Sequence, residues 1–145
     1  MSRVIYVDAD EPMKARIAHE WGEGAAHHMH LVDGFSLVAL DAEELVGLIS
    51  VAYRSLPAPL TETYEGYIDI IEVHGDYRRQ GIATELLAMV IERLRTQRLY
   101  QIRAWSSEDK TTALQMWKTL GFTLCPATTY PNGQPVQGYF VARLL

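Results

Sequence analysis

The chain reads as a mixed α/β domain, a central mixed sheet of about six to seven strands with helices on both faces. Three observations carry that reading. The stretch YIDIIEVHGDYRRQGIATELLAMVIERLR, Tyr67 to Arg95, runs from an apolar strand through a turn rich in arginine and glycine into an amphipathic helix. Leu99 to Trp105 (LYQIRAW) follows directly as another strand, and strand, crossover helix and strand of these lengths make a right-handed βαβ unit with parallel strands. Upstream, FSLVAL and LVGLISVAY flank a turn at Asp41 to Glu44 and predict an antiparallel hairpin.

The remaining elements follow in order. Ser2 to Val7 alternates polar and apolar residues as an edge or half-buried strand does. Asp10 caps a helix with Glu11 and Pro12 in its first turn, and Met13, Ile17 and Trp21 give it one apolar face before it ends near Gly22 or Gly24. The segment AAHHMHLVDG has no clean period, and Ser55 to Tyr64, with two prolines, reads as a loop. In YIDIIEV, strict alternation puts Tyr67, Asp69, Ile71 and Val73 on one face and Ile68, Ile70 and Glu72 on the other, as in a central strand. Ile82, Leu86 and Val90 with Ala83, Leu87 and Ile91 form a wide apolar helical stripe. Ala113, Met116, Trp117 and Leu120 place one more helix on the sheet, stopped by Gly121. Phe122 to Leu124 and Gln137 to Leu144 are the last strands, joined by the turn-rich ATTYPNGQP.

A chain of 145 residues, 48% hydrophobic, suits a single domain spanning residues 1–145. No apolar run approaches the roughly 20 residues needed to cross a bilayer, and no secretory pattern opens the chain, so the expectation is a cytoplasmic protein without a membrane partner. A net charge of −5 argues against a nucleic-acid partner, which is held by an excess of Lys and Arg. Cys125 is alone and reads as a small core residue. His27, His28 and His30 match neither a helical i, i+4 pair nor a finger spacing, so no metal site is expected. A solvated loop or a substrate-contacting histidine are the readings left there.

The chemistry starts at the turn after Val73. A strand that passes its chain to a helix through such a turn aims several backbone N–H groups at one spot, with the positive end of the helix dipole behind them, which makes a phosphate cradle. Arg78, Gly81 and Ala83 spell Arg-x-x-Gly-x-Ala: glycine admits a ligand to the backbone, the small Ala83 leaves room, and Arg78 and Arg79 supply charge. Downstream, Ala113, Trp117, Gly121 and Phe122 give Ala-x-x-x-Trp-x-x-x-Gly-Phe. No Lys-Ser/Thr follows the glycine, as a P-loop would need.

Taken together, from about Gly34 to Phe122, these motifs and the order of elements resemble the GNAT superfamily of acetyl-CoA-dependent N-acetyltransferases. The resemblance implies the GNAT acyl-CoA N-acyltransferase fold and acetyl-CoA as cosubstrate. Backbone N–H groups of Arg79, Gln80, Gly81, Ile82, Ala83 and Thr84 would hold the pyrophosphate, with Arg78 beside them. The strand ending at Val73 would splay from the strand at Leu99 to Trp105. The pantetheine arm would enter as a pseudo-strand paired with Ile71 and Val73, where a backbone N–H near Val73 serves the oxyanion. A substrate amine then attacks the thioester directly. That chemistry asks for an unprotonated amine, an oxyanion donor and a proton for the thiolate.

Asp69 and Glu72 are the candidate bases; read as pointing to opposite faces, only one reaches the amine, and Glu72 sits nearest the expected thioester. The family's frequent tyrosine four residues after the alanine is Trp117 here, whose indole N–H is no useful proton donor and whose expected place is against the pantetheine or in the core. Lys110 replaces a frequent asparagine and puts one pantetheine contact in doubt. The proton donor is therefore open among water, Ser106, Ser107, Tyr130 and Tyr139. Trp21, Tyr53, Tyr64, Tyr67 and Tyr130 either wall an acceptor pocket or fill the core. The expected function is acetyl transfer to a primary amine of a small molecule or peptide. A non-catalytic acyl-CoA binding or sensing module is the alternative, and a homodimer is left open.

Overall fold

A computed structural model describes residues 3–145. Its elements run β1 (Val4–Asp8), α1 (Glu11–Glu20), α2 (Glu23–His27), β2 (Gly34–Asp41), β3 (Glu44–Ser55), β4 (Tyr64–Val73), α3 (Ile82–Thr96), β5 (Gln101–Ser107), α4 (Thr111–Thr119), β6 (Thr123–Thr129) and β7 (Val136–Leu144). The strands form one seven-stranded sheet in the order β1-β2-β3-β4-β5-β7-β6, with β4 and β5 parallel and the other neighbours antiparallel. The expected mixed sheet and βαβ unit are both present. Ser2, the first residue of the expected opening strand, lies outside the described residues.

Two apolar layers cover the sheet. On one face Leu86, Leu87, Val90 and Leu94 of α3 and Trp117 of α4 meet Leu37, Ile49, Val51, Ile68 and Ile102 of the sheet. On the other, Ile17 of α1 and Ala26 of α2 close on Val38, Leu45 and Leu48. The stripe read from Ile82 to Ile91 is therefore the stripe that buries, except that Ala83 is left half-exposed. Asp10 caps α1 as expected, accepting from the Met13 N–H at 3.0 Å. The aperiodic histidine segment begins inside a short helix, α2, which too few residues announce for a period to be read. The loop at Ser55 to Tyr64 is shorter than expected, because β3 runs through Ser55 and β4 begins at Tyr64. Cys125 is exposed rather than core: it lies on β6, the outermost strand, past which, among the described residues, no further strand continues the sheet. Among the described residues, no helix is long and apolar enough to cross a membrane.

Strict alternation fails in β4. Ser50 pairs with Ile70, but Val51 pairs with Ile68, so Asp69 is an extra residue opposite the β3 ladder, a β-bulge. Directly paired residues share a face. Ile68 thus joins Ile71 and Val73 on the α3 face, while Ile70, paired with Ser50, packs on the α1 side. Glu72 pairs with Leu48, a core residue of the α1 side. Asp69 reaches histidines on that same side. The expectation that Asp69 and Glu72 point to opposite faces is corrected: the bulge shifts the parity of the strand and sends both to the α1 side.

Candidate active site

β4 and β5 pair only from Glu65–Gln101 to Ile68–Ala104. Beyond that rung β4 continues to Val73 against β3, and β5 continues to Ser107 against β7. The two strands thus part into a V whose inner edges, among the described residues, have no strand between them. Asp69 and Trp105 are the first residues past the last rung.

On the α3 side the V opens into a groove of about 700 Å³. Ile71, Glu72 and Val73 line it from β4, Arg78, Arg79, Gly81, Ile82, Ala83 and Thr84 from the turn and first turn of α3, and Lys110 and Ala113 from α4. The turn is built for backbone presentation: Arg79 (φ 65°) and Gly81 (φ 81°) are left-handed, and Gly81 caps α3 without a side-chain hydrogen bond. First-turn N–H groups of a helix have no partner inside it, so those of Ile82, Ala83 and Thr84 are available to a ligand. Lys110 caps α4 in the same way, again with no side-chain hydrogen bond. Two helix N-termini thus border one groove, a charge pattern suited to an anion. Arg78 is tied back to β4 through its Nε to the Val73 carbonyl at 3.3 Å.

Of the residues expected to bind cofactor, two lie elsewhere. Gln80 is exposed, its amide donating to the Asp76 carbonyl at 3.5 Å. Trp117 is 2% exposed and packs tilted against Phe122 in the core, ring centroids 4.9 Å apart. Sequence reasoning missed Tyr77, Asp109, Thr111, Thr112 and Met116, which also line the groove. For the four from the β5–α4 region, the signal was their spacing just before and after Ala113, on the face that the motif alanine itself marks.

The other side of the V carries the acidic groups. Asp69 Oδ2 meets His30 Nε2 at 2.8 Å, and Oδ1 meets His28 Nδ1 at 3.3 Å. His30 Nδ1 in turn meets both Asp33 carboxylate oxygens, at 3.0 and 3.1 Å. That hydrogen bond, more than any other influence, holds the Asp33 carboxyl below the usual carboxylate range. The His30 backbone is fixed by two buried serines: its N–H donates to Ser50 Oγ at 2.7 Å, and its carbonyl accepts from Ser36 Oγ at 2.9 Å. His27 stays outside the cluster, edge-on to His28 at 5.6 Å. Among the described residues no group of three His, Cys, Asp or Glu side chains is arranged to hold a metal ion.

Beside the bulge, Tyr67 lies between two guanidiniums, Arg54 at 3.9 Å and Arg103 at 4.8 Å from its ring, and Arg103 also covers Phe140 at 5.0 Å. Phe140 meets Trp105 edge-on at 5.2 Å. Of the aromatic residues read as an acceptor wall or as core, Tyr67 lies beside the bulge, next to Phe140 and Trp105. Tyr53 contacts Phe35 instead, Trp21 packs in the α1 core, and Tyr64 and Tyr130 are exposed. Among the open proton donors, Ser106 and Tyr139 are paired across β5 and β7, and the Ser107 hydroxyl is spent on Asp109. Tyr77, the phenol that lines the groove, donates to Asp41 at 2.9 Å and Glu44 at 3.2 Å. Those carboxylates, Asp41 first, push its pKa up to about 12, so it holds its proton firmly.

A mixed sheet split between two parallel strands, with a glycine-capped helix at the split, defines an α/β fold whose groove is suited to an anionic ligand. The pattern of the Acetyltransferase (GNAT) family matches residues 4–122, and the chain belongs to that family. It is an N-acetyltransferase that uses acetyl-CoA to acetylate an amine. N-alpha-acetyltransferase 30 of Schizosaccharomyces pombe is 26% identical over 124 residues, covering 83% of this chain and 73% of that protein. The fold is similar to that of Arabidopsis thaliana NAA60 solved with a bisubstrate analogue, at a TM-score of 0.78, 16% identity and 97% coverage of both chains. It is also similar to Arabidopsis thaliana Naa50 solved with the bisubstrate analogue CoA-Ac-MVNAL, at a TM-score of 0.76 and 18% identity, covering 97% of this chain and 98% of that one.

Proposed function

We propose that the acceptor is a primary amine of a small molecule or peptide, with the N-terminal α-amine of a peptide as first choice, docked on the α1 side of the V against Asp69. The single observation behind this reading is the position of Asp69, a carboxylate on a bulge at the first residue past the last β4–β5 rung. A thioester laid between the strands presents its carbonyl there, and a carboxylate at that point attracts an ammonium group. Asp69 takes this role ahead of Glu72, which shares the α1 side but lies further along β4 from the last rung, away from the point where the strands part. The preference for a peptide rests on the relatives, one an N-alpha-acetyltransferase and one solved with a pentapeptide analogue. It also suits the chemistry: an α-amine has a pKa of about 7.7–8.0 against about 10.4 for lysine, so little work frees its lone pair at neutral pH.

On the cofactor side, N–H groups from Arg79 to Thr84 and the N-terminus of α4 at Lys110 take the pyrophosphate, with Arg78 and Arg79 adding charge. Ile71 and Val73 pair with the pantetheine amides, and a Val73-region N–H receives the oxyanion. Trp117 supports the wall of the groove from the core, and the departing thiolate takes its proton from water. A thiol pKa of roughly 8.5 makes this adequate near neutrality. The chain acts as one cytoplasmic domain, its charge of −5 unsuited to nucleic acid, and a homodimer is compatible with this reading.

The test is a panel of short peptides, polyamines, aminoglycosides and amino acids incubated with acetyl-CoA, with release of free thiol as the readout. Turnover with peptides bearing a free N-terminus, and none with the same peptides blocked there, is the expected result. Acetyl-CoA binding by calorimetry with no turnover across the panel would instead mark a sensing module.

A further inference from the structure

We infer that His28 is the general base of the reaction, oriented by Asp69, and that His30 positions Asp69 for that task. The inference rests on the reading above, that the acceptor amine docks beside Asp69 at the mouth of the V. Asp69 hydrogen-bonds His30 and lies at ion-pair distance from His28. Both nitrogens of His30 face carboxylates, Nε2 to Asp69 at 2.8 Å and Nδ1 to Asp33 at 3.0 Å. An imidazole can donate from both nitrogens only as the imidazolium, which leaves it no lone pair with which to accept a proton. His28 uses one nitrogen: Nδ1 lies 3.3 Å from Asp69 Oδ1, and its side chain is 50% exposed. An imidazole whose Nδ1 proton is turned toward the nearby Asp69 carboxylate carries its lone pair on Nε2. A carboxylate fixing the tautomer of an imidazole through one nitrogen, so that the other acts as base, is the arrangement general-base catalysis uses.

Two carboxylates, Asp33 and Asp69, face the two ring nitrogens of His30, while His28 has Asp69 alone beside it. The other charged and titratable groups around the pair are Lys14 of α1 and Glu23 and His27 of α2, which share a shallow surface pocket with His28, and Tyr67 on β4. Arg54 and Arg103 stand behind Tyr67. The frame is rigid where it must be: the backbone of His30 is bolted to Ser36 and Ser50, at 1% and 0% exposure, and those hydroxyls also bond each other at 2.9 Å. His30 is thus a positioning residue, and His28 is the group that meets the substrate proton.

The step balances as follows. The acceptor ammonium gives one proton to His28 Nε2, and the freed lone pair forms the C–N bond at the thioester carbonyl. The C–S bond breaks, the electron pair leaves with sulfur, and the second nitrogen proton passes through water to the thiolate. His28 then releases its proton to solvent, so each turnover yields amide, CoA thiol and one proton.

The experiment compares the full-length protein with His28→Gln, His30→Gln and Asp69→Asn, with His19→Gln on the exposed face of α1 as control. An acceptor peptide found in the panel is used, with kcat and KM measured from about pH 6 to 9.5. His28→Gln should lower kcat/KM about 100-fold near pH 6.5, within the range general-base groups contribute. Its deficit should shrink to less than about tenfold at pH 9.5, where an α-amine of pKa about 7.7–8.0 is already unprotonated. KM for acetyl-CoA should not move. Asp69→Asn should share the pH-dependent deficit, His30→Gln should lose kcat while keeping the wild-type profile shape, and His19→Gln should match wild type. A His28→Gln profile parallel to wild type, or a deficit independent of pH in a protein that melts normally, would overturn the assignment of the base. Failure of wild type to acetylate any amine while binding acetyl-CoA would instead overturn the acceptor reading, and the assignment with it.

Discussion

Glu65 is a carboxylate at 1% exposure on a strand read from sequence as starting two residues later. It survives there because it is saturated: Arg103 donates from Nε at 2.9 Å and Nη2 at 2.7 Å, and Gln101 donates at 2.7 Å. Burial works to raise its pKa, but those hydrogen bonds and the charges of Arg103 and Arg54 together outweigh it, and the net shift is downward. A carboxyl depressed in the folded state lends stability above its unfolded pKa of about 4.3 and loses it as pH falls through the folded value. Glu65→Gln should therefore cost roughly 3 kcal/mol at pH 7, at the lower end for a broken buried pair because Arg103 keeps some solvent. It should also flatten the acid limb of stability below about pH 4. Melting curves of both proteins between pH 3 and 7 check this, and equal losses at pH 3 and pH 7 would contradict it. Trp117 shows what single residues conceal: the motif placed it, yet whether it faces groove or core appears only in its packing, buried against Phe122. The histidines conceal more, since His28, His30 and Asp69 meet across a sequence separation that no local pattern spans.

At the scale of an element, the start of α3 is the proposed seat of the cofactor, and Gly81 is its narrowest requirement. Its φ of 81° suits glycine, and a Cβ there meets nothing within 4 Å, so any added side chain would stand in open space at the groove lining. Gly81→Glu should abolish acetyl-CoA binding through charge against the pyrophosphate. Gly81→Ala should stay folded and bind, paying about 1 kcal/mol of backbone strain. Calorimetry on the two distinguishes charge from strain, and equal affinities would remove this turn from the cofactor site. The strand and helix here were legible because their apolar periods are long and their punctuation, Arg and Gly, is local. The bulge in β4 was not, because one extra residue has no compositional mark and appears only in the register with β3. That residue alone reversed the facing of Asp69 relative to Ile71.

For the whole molecule, the sheet is two half-sheets, β1 to β4 and β5 to β7, joined by the four pairs from Glu65–Gln101 to Ile68–Ala104. The mixed pairing was legible from a hairpin followed by a βαβ unit; the place where the seam stops was not, since it depends on how far two separately anchored strands diverge. Acetyl-CoA in its proposed seat between them binds only the folded state. At about 100 times its dissociation constant it should add about 2.7 kcal/mol, raising the melting temperature by roughly 6–10 °C. A shift no larger than that given by adenine alone would count against a ligand that spans the gap.

Mechanically, four rungs between two stiff plates make a pivot, and the β4–β5 gap is the jaw of a pair of tweezers. Glu65 and Arg103 are its rivet, placed about 20 Å along the strand from Ile71 at roughly 3.3 Å per residue. Loosening the rivet lets the jaw gape. Glu65→Gln should thus weaken acetyl-CoA binding as well as stability, although it alters no residue of the groove, so grip at one end of β4 is set by a carboxylate buried at the other.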